Sequence, residues 1–167
     1  SLNLYSALSL SLPQPNSDIE KRFLEPFLKR HFGEDYPDLL YPQYQKKDNL
    51  PKNIRVHEFY VQSGAYLKSS SAQRDYTSLN YTHVAQALYN KNLDALVQLI
   101  AKKTINGKVC YSLSCNPDLT LDLKDLYKTE KQLVIIGVVH PDLPFMGADA
   151  EVPADFFDMI VDSPEVK

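Results

Sequence analysis

The stretch LVIIGVV, from Leu133 to Val139, decides the fold class of this chain. It is continuous, aliphatic and mostly β-branched, which is typical of a strand buried on both faces, usually at the centre of a parallel sheet. It is the longest uninterrupted apolar run of the chain, and it is far too short to cross a bilayer. We therefore expect a layered sheet protein and no membrane partner.

Strands and helices alternate on the amino-terminal side of this run. Period-two alternation and β-branched runs predict strands over Leu2–Leu12, Ile54–Val61, Leu93–Ala101, Lys108–Ser114 and, after the central run, Phe156–Val161. Apolar stripes and caps predict helices from Ser17 to Gly33, over Thr82–Tyr89, and over Leu119–Tyr127 with Asp118 as N-cap. This alternation predicts an α/β fold with an open α/β/α layered, mostly parallel sheet.

Several local signals refine this prediction. Pro26 should kink or divide the first helix because it lacks an N–H group. Asn106-Gly107 predicts a hairpin, and therefore antiparallel pairing of the strands on either side. The Tyr- and Pro-rich segment Glu34–Lys52 is expected to be a packed surface excursion, and the Ser-rich segment Lys68–Asp75 a mobile loop.

Composition limits the function classes. The chain has 167 residues, 44% of them hydrophobic, which suits one ordinary domain with a real core. The formal net charge of −3 argues against broad electrostatic binding of nucleic acid. Only two cysteines are present, which excludes a secreted disulfide scaffold and favours a reducing cytoplasm.

Common catalytic and cofactor motifs are absent from the sequence. Cys110 and Cys115 have a C-x4-C spacing that fits two small buried hydrophobic residues better than a zinc site. The four histidines are scattered, and the sequence contains no HExxH, GxSxG, GxGxxG or GxxxxGK motif. The spacing and the missing motifs count against a zinc site and against a conventional nucleotide site.

Polar turns follow two of the predicted strands. Gln62, Ser63 and Gly64 follow the second strand, and Ser114–Pro117 follows the fourth. Ligands of doubly wound sheets bind at the carboxyl ends of strands, although ordinary turn and cap chemistry is the better explanation of such residues from the sequence alone. The central run is followed by a proline-rich loop in which Phe145 and Met146, beside Gly147, form an apolar patch that favours a partner.

Five segments together resemble the acetyl-CoA hydrolase/transferase family, and specifically the N-terminal half of its members. They are RFLEPFLKRHFG (Arg22–Gly33), LPKNIRVHEFY (Leu50–Tyr60), NYTHVAQAL (Asn80–Leu88), SLSCNPDLTLDL (Ser112–Leu123) and LPFMGADAEVP (Leu143–Pro153). The resemblance extends from about Leu2 to Asp162. It implies a single, partial N-terminal domain over residues 1–167, with the fold of the class I CoA-transferase type.

The resemblance also implies a chemistry. A glutamate carboxylate attacks an acyl-CoA thioester, and CoA passes to a second small carboxylic acid, or water hydrolyses the intermediate. In this family that glutamate belongs to the C-terminal half, so neither Glu58 nor Glu151 is assigned the role. By motif position, Gln62, Gly64, Asn80, Thr82 and Asn116 are candidate substrate-binding residues. Phe145, Met146 and Gly147 are candidate contacts with the C-terminal half.

Under the leading hypothesis, the chain is a piece of a longer polypeptide that has no turnover alone and exposes an apolar face, with a homo-oligomer as a further possibility. Two other hypotheses stay open at this level. A stand-alone, non-catalytic binding module is the alternative, and it predicts a closed, polar surface around Phe145 and Met146. A third hypothesis, an enzyme with Cys115 as nucleophile, lacks an orienting His-Asp arrangement in the sequence.

Overall fold

A computed structural model describes residues 1–9, 11–34, 39–128 and 133–163. The chain divides into two compact units, Ser1–Leu79 (unit 1) and Asn80–Lys167 (unit 2). The single partial domain inferred from the family resemblance stays a prediction. Within the described ranges, no helix combines the length and the apolar character that a membrane crossing requires.

Unit 1 is built on two parallel strands, β1 (Leu2–Ser6) and β2 (Ile54–Glu58), which pair from Leu2 opposite Ile54 to Ser6 opposite Glu58. Both predicted strands are shorter than expected, because the paired register ends where β2 ends. Just beyond it, the Phe59 and Tyr60 amides still donate to the Ser6 and Ala7 carbonyls, at 3.2 Å and 2.8 Å, and the Ser9 amide then donates to a side chain, Glu58 Oε1, at 3.1 Å. Leu10, within the predicted first strand, lies outside the described residues.

Three helices complete unit 1: α1 (Asp18–Phe32), α2 (Leu40–Lys46) and α3 (Ser70–Asp75). Helix α1 begins as predicted, since the Ser17 hydroxyl accepts from the Glu20 amide at 3.2 Å. Pro26 lies inside α1 without dividing it.

The prediction of a mobile loop over Lys68–Asp75 is wrong, since α3 occupies all of it from Ser70 onward. The Ser69 hydroxyl caps the helix by accepting from the Ala72 amide at 3.3 Å. Helix α2 lies inside the excursion predicted over Glu34–Lys52, of which residues 35–38 lie outside the described ranges.

Unit 2 contains helix α4 (Val84–Tyr89), which a short 3-10 turn at Tyr81–His83 precedes, and helix α5 (Asp118–Tyr127). Its five-stranded sheet has the order β6-β4-β3-β5-β7. The strands are β3 (Ala95–Ile105), β4 (Lys108–Ser112), β5 (Val134–Val139), β6 (Glu151–Val152) and β7 (Met159–Val161).

The chain is therefore α/β, as predicted, but the larger sheet is mixed rather than mostly parallel. Strand β5 pairs in parallel with β3 and β7, whereas β4 pairs antiparallel with β3 and β6. The predicted hairpin is confirmed: Asn106 and Gly107 have φ values of 51° and 79°, and they join β3 to β4. Positive φ at both central residues is the backbone of a type I′ turn.

Several strand limits differ from the predictions. Strand β3 begins two residues later and continues to Ile105, because the hairpin extends its pairing. Strand β4 stops at Ser112, since Ser114 turns the chain with a φ of 60°. The predicted last strand is reduced to β7, because Ala154–Phe156 form a 3-10 turn, and β6 was not predicted.

The two faces of β5 are covered differently, so the prediction of burial on both faces is wrong for the described chain. Ile135, Gly137 and Val139 are buried, while Val134, Ile136 and Val138 are only half-buried. Helix α5 covers the buried face of the sheet, where its buried Thr120 donates to Gln98 Oε1 of β3 at 2.6 Å. Helix α4 packs against α5, with an edge-to-face contact of 5.1 Å between the rings of Tyr89 and Tyr127.

Candidate functional site

The carboxyl ends of β4 and β5 lie on either side of the middle of β3. Ile100 of β3 lies opposite Val139, the last residue of β5, and the next residue, Ala101, lies opposite Ser112, the last residue of β4. Strand β3 thus changes its pairing partner at this point, from a parallel to an antiparallel neighbour. We call the segments that follow β4 and β5, Leu113–Asn116 and His140–Gly147, the strand-end site.

Two buried serines join the two segments of the strand-end site. The Ser112 hydroxyl donates to the Met146 carbonyl at 2.7 Å, and the Met146 amide donates back to Ser112 Oγ at 3.1 Å. The Ser114 hydroxyl donates to the Pro144 carbonyl at 2.9 Å. These bonds hold residues 144–146 against the end of β4. The sequence analysis missed this role of both serines, and their S-x-S spacing at a strand end is the signal that marks them.

The apolar tip of the loop is presented to solvent. Met146 is 47% exposed and Gly147 is exposed, while Phe145 is half-buried. The Lys103 ammonium lies 5.9 Å from the centre of the Phe145 ring, which places a cation over its face. The exposed methionine is the feature expected of a contact surface, and it differs from the closed, polar surface that a stand-alone module predicts.

Asn116 lies on the same site, immediately before α5. Its side chain is exposed, and α5 starts two residues later without a side-chain hydrogen bond from its N-cap residue, Pro117. Among the candidate substrate-binding residues, Asn116 is therefore the one that lies on the segment whose Ser114 bonds to Pro144. An exposed carboxamide can donate a hydrogen bond to a carbonyl or carboxylate oxygen.

Charged and titratable groups border the strand-end site. His140 is half-buried, and its Nδ1 accepts the Asp142 amide at 3.2 Å, which leaves the ring proton on Nε2. Lys102 pairs with Asp162, which follows β7, at 2.5 Å. This hydrogen bond and the charge of Asp162 raise the pKa of Lys102 above its usual value.

The other candidate substrate-binding residues lie on other segments of the chain. Asn80 and Thr82 belong to unit 2, at the 3-10 turn before α4, and both are exposed. Gln62 and Gly64 belong to unit 1, in a turn after β2 that the Ala65 amide closes on the Gln62 carbonyl at 3.0 Å. Gly64 has a φ of 79°, so the turn itself explains this glycine. The helix that follows, α3, starts six residues after Gly64 and is capped by Ser69.

Unit 1 holds a polar network that the sequence analysis treated as isolated charges. The buried carboxylate of Asp75 pairs with Arg55 and Arg74, and the two guanidinium groups hold its pKa at about 2. The His57 ring stacks on Tyr5 with centroids 4.7 Å apart, and its nitrogens lie 3.2 Å from the Asp75 carbonyl and from Asn3 Oδ1. Both oxygens of the Asp75 carboxylate and both ring nitrogens of His57 are taken up by contacts within unit 1, which is typical of a fold element rather than a site.

A second buried group in unit 1 is Glu58, at the carboxyl end of β2. Its residue is 2% exposed, and its Oε2 atom has no hydrogen-bond partner among the described residues. Tyr66 lies close enough that burial, followed by the charge of Glu58, raises the pKa of its phenol well above the usual value. That Glu58 has no nucleophile role stays a prediction.

Metal binding and cysteine catalysis are the two remaining chemistries that the sequence raised. No group of three or more His, Cys, Asp or Glu side chains that could hold a metal ion occurs in the part of the chain that the structure describes. Cys115 is exposed and Cys110 is half-buried, so the prediction that both are buried is wrong. The Ser114 hydroxyl lies 3.6 Å from Cys115 Sγ, and this contact does not supply a base for a nucleophile.

Comparisons with known proteins leave the chain without a family assignment. No family model matches it, and no curated protein matches it at a significant level. The family resemblance therefore rests on the five segments quoted above.

Proposed function

We propose that this chain is the N-terminal part of an acyl-CoA hydrolase or CoA-transferase that acts on acetyl-CoA or a similar short acyl-CoA thioester in the cytoplasm. The catalytic glutamate would come from a C-terminal half of the same protein. The strand-end site would form one wall of the acyl pocket. The observation that carries the proposal is that Ser112 and Ser114, shortly before the exposed Asn116, bond residues 144–146 to the end of β4.

The geometry suggests a role for each part of this wall. The Asn116 carboxamide would donate to an oxygen of the thioester or of the acceptor carboxylate. Phe145 and Met146 would give the C-terminal half an apolar contact, and the serine bonds would keep them in place. The fold of the class I CoA-transferase type belongs to this proposal, since an α/β chain with a mixed five-stranded sheet supports it only at the coarser level.

The chemistry divides between the two halves. The carboxylate of the C-terminal half would attack the thioester carbonyl and expel CoA as a thiolate, which leaves an acyl–glutamyl anhydride. Water would hydrolyse this anhydride in a hydrolase. In a transferase, the CoA thiolate would attack the glutamyl carbonyl and release the first carboxylate, and a second carboxylate would then attack the glutamyl thioester and recapture CoA through its own anhydride. This chain would position the substrate and exclude water on one side. It would supply no nucleophile, and no metal ion or redox cofactor would take part.

Release of free thiol from acetyl-CoA tests the proposal. The assay compares this chain with the gene product purified from its natural source, whose intact mass is measured in the same experiment. We expect thiol release from a heavier natural product and none from this chain. An inert natural product of 167 residues would instead support the non-catalytic module. Thiol release by this chain alone would show that a nucleophile lies within it.

A substitution in the natural product then tests the assigned wall. Asn116→Ala should reduce kcat/KM by about tenfold or more, as loss of a positioned hydrogen-bond donor does. Asn90→Ala, which changes an exposed asparagine at the end of α4, is the matched control and should leave kcat/KM unchanged. Equal effects of the two substitutions would remove Asn116 from the site.

A further inference from the structure

The hairpin between β3 and β4 carries the one asparagine-glycine pair of the sequence, Asn106-Gly107. Every other asparagine is followed by a residue that has a side chain. Asparagine is among the chemically labile residues of proteins, and a following glycine makes it more so, because no Cβ shields the glycine nitrogen. That nitrogen can attack the side-chain carbonyl carbon of the asparagine and close a ring.

The structure leaves both reacting groups of this pair accessible. Asn106 and Gly107 are exposed, and a Cβ at Gly107 would meet nothing within 4 Å. In the part of the chain that the structure describes, the Gly107 amide donates no hydrogen bond and the Asn106 carboxamide makes none. Both residues lie in the turn, outside the ladder that closes with Ile105 opposite Lys108. The attacking nitrogen is therefore free of any bond that the reaction would have to break.

Asn92 provides a comparison within the same unit. It is also exposed, and its φ of 55° is close to the 51° of Asn106. The next residue is Leu93, whose side chain crowds the backbone nitrogen and whose amide donates to the Tyr127 hydroxyl at 2.7 Å. Two asparagines with similar φ thus differ in the state of the amide that follows them. The amide after Asn92 is occupied, and the amide after Asn106 is free.

We propose that Asn106 is a site of spontaneous deamidation, with water as the co-reactant. The Gly107 nitrogen forms a bond to Asn106 Cγ and gives up its proton, and the side-chain nitrogen leaves with that proton as ammonia. The product is a cyclic succinimide. Water then opens the ring at either of its carbonyls, which yields aspartate or isoaspartate. Both products carry a carboxylate in place of the carboxamide, and isoaspartate also lengthens the backbone by one methylene.

Isoaspartate would loosen the hairpin at its closed end. The turn needs positive φ at both central residues, and an added methylene moves Ile105 out of register with Lys108. Strand β4 would then lose part of its ladder with β3. Ser112, the last residue of β4, holds the Met146 backbone through two hydrogen bonds. The modification would therefore reach the strand-end site through β4.

Peptide mapping by mass spectrometry after incubation in mildly alkaline buffer tests the proposal, and it does not depend on the proposed function. Base accelerates the reaction because it removes the proton of the attacking nitrogen. The peptide with Asn106 should gain the mass difference between an amide and a carboxylic acid several-fold faster than the peptide with Asn92. Electron-transfer fragmentation should identify isoaspartate among the products. An Asn106 that stays intact, or that converts no faster than Asn92, would overturn the proposal.

Amide hydrogen exchange then tests the effect on the hairpin. Asn106→Asp supplies the charge of the product on a normal backbone, and aspartate tolerates the left-handed region. The amides of 102–105 and 108–112 should exchange several-fold faster in the chromatographically separated isoaspartate form than in the unmodified protein. They should stay close to the unmodified protein in Asn106→Asp. Equal exchange in the isoaspartate form and the unmodified protein would overturn the proposed effect, and so would equal acceleration in Asn106→Asp, since the charge would then be its cause.

Discussion

Unit 1 and unit 2 bury different kinds of side chain. The described part of unit 1 buries the polar residues Gln45, Glu58, Ser69 and Asp75 beside the apolar residues Pro42, Val56, Phe59 and Ala72. Unit 2 also buries the polar residues Ser112, Ser114 and Thr120, but within a larger aliphatic and aromatic set around its sheet: Val84, Ala85, Leu88, Ile100, Ala101, Leu113, Leu123, Tyr127, Leu133, Ile135, Val139, Ala150, Val152 and Phe157.

This difference predicts which kind of substitution should most lower the stability of each unit. Close packing should dominate the stability of unit 2, because its core is mostly apolar. Specific polar pairs should matter more in unit 1, because a buried polar group is costly once its partner is removed. Amide hydrogen exchange followed by NMR separates the two units, since it reports the free energy of opening residue by residue.

The largest effect is expected from overpacking in unit 2. A Cβ added at Gly137 would lie 2.7 Å from Ile100 Cδ1 and 3.0 Å from Phe157 Cδ1, and both of these side chains are buried. Gly137→Ala should therefore lower the free energy of opening of unit 2 by about 2–3 kcal/mol. The amides of β3 and β5 should lose protection, while those of unit 1 should keep it.

Gly147→Ala is the matched control for this experiment. A Cβ at Gly147 meets nothing within 4 Å, and its φ is −90°. The free energy of opening should then change by less than about 0.5 kcal/mol. Equal losses in the two variants would mean that backbone freedom, rather than packing against Ile100, makes residue 137 a glycine.

The next effect tests the polar pairs of unit 1. Asp75→Asn removes the buried charge that faces Arg55 and Arg74, and it should lower the free energy of opening of unit 1 by about 2 kcal/mol. The control is Asp162→Asn, which breaks the exposed pair with Lys102 in unit 2. That variant should lose less than about 0.5 kcal/mol. A larger loss from Asp162→Asn would reverse the contrast between the units.

The same carboxylate gives unit 1 a predictable pH dependence. The pKa of Asp75 is lowered from 3.8 to about 2, chiefly by its hydrogen bond with Arg55. Because the folded-state pKa lies below the unfolded one, the stabilisation is fully present above about pH 5 and is lost as the pH falls toward 2. Thermal unfolding across this range should show a loss of about 1–2 kcal/mol, after allowance for the exposed guanidinium groups. Asp75→Asn should lack this component of the pH dependence, and its persistence in the variant would assign it to another group.

A smaller effect is expected at the hairpin of unit 2. Gly107 has a φ of 79° with nothing near its Cβ position, so Gly107→Ala introduces backbone strain without a clash. The expected loss is about 1 kcal/mol. Gly107→Asn should lose less, because asparagine tolerates the left-handed region better than alanine does. Identical losses in amide protection of β3 and β4 would show that the turn does not depend on this conformation.

The contrast between the units also explains how much of the fold the sequence could predict. The hairpin and β5 were predictable because their signals are local: Asn106-Gly107 sets the turn, and a continuous β-branched run makes the strand. Helix α3 was missed because its residues carry no apolar period. Its Ser69 cap and the ion pair of Asp75 with Arg55 are polar contacts that a hydrophobic pattern does not contain.

The candidate site was predictable in part for the same reason. Asn116 and the Phe145–Gly147 loop were identified as polar or apolar turns after strands, which is a local signal. The joining of the two segments was not predictable, because it depends on bonds from Ser112 and Ser114 to the loop across about 30 residues of chain. Burial of β5 on both faces was expected from its composition, and composition does not state which layer covers the second face.

The most direct test of the central claim is an NMR titration of the ¹⁵N-labelled chain with acetyl-CoA. If the strand-end site forms a wall of the acyl pocket, the amides of Asn116 and of residues 145–147 should shift together along one binding curve. The affinity should be weak, in the millimolar range of about −4 kcal/mol, because the proposed C-terminal half is absent from the titration. Shifts confined to other surfaces, or none at these amides at saturating acetyl-CoA, would contradict the claim that this edge of unit 2 binds the substrate.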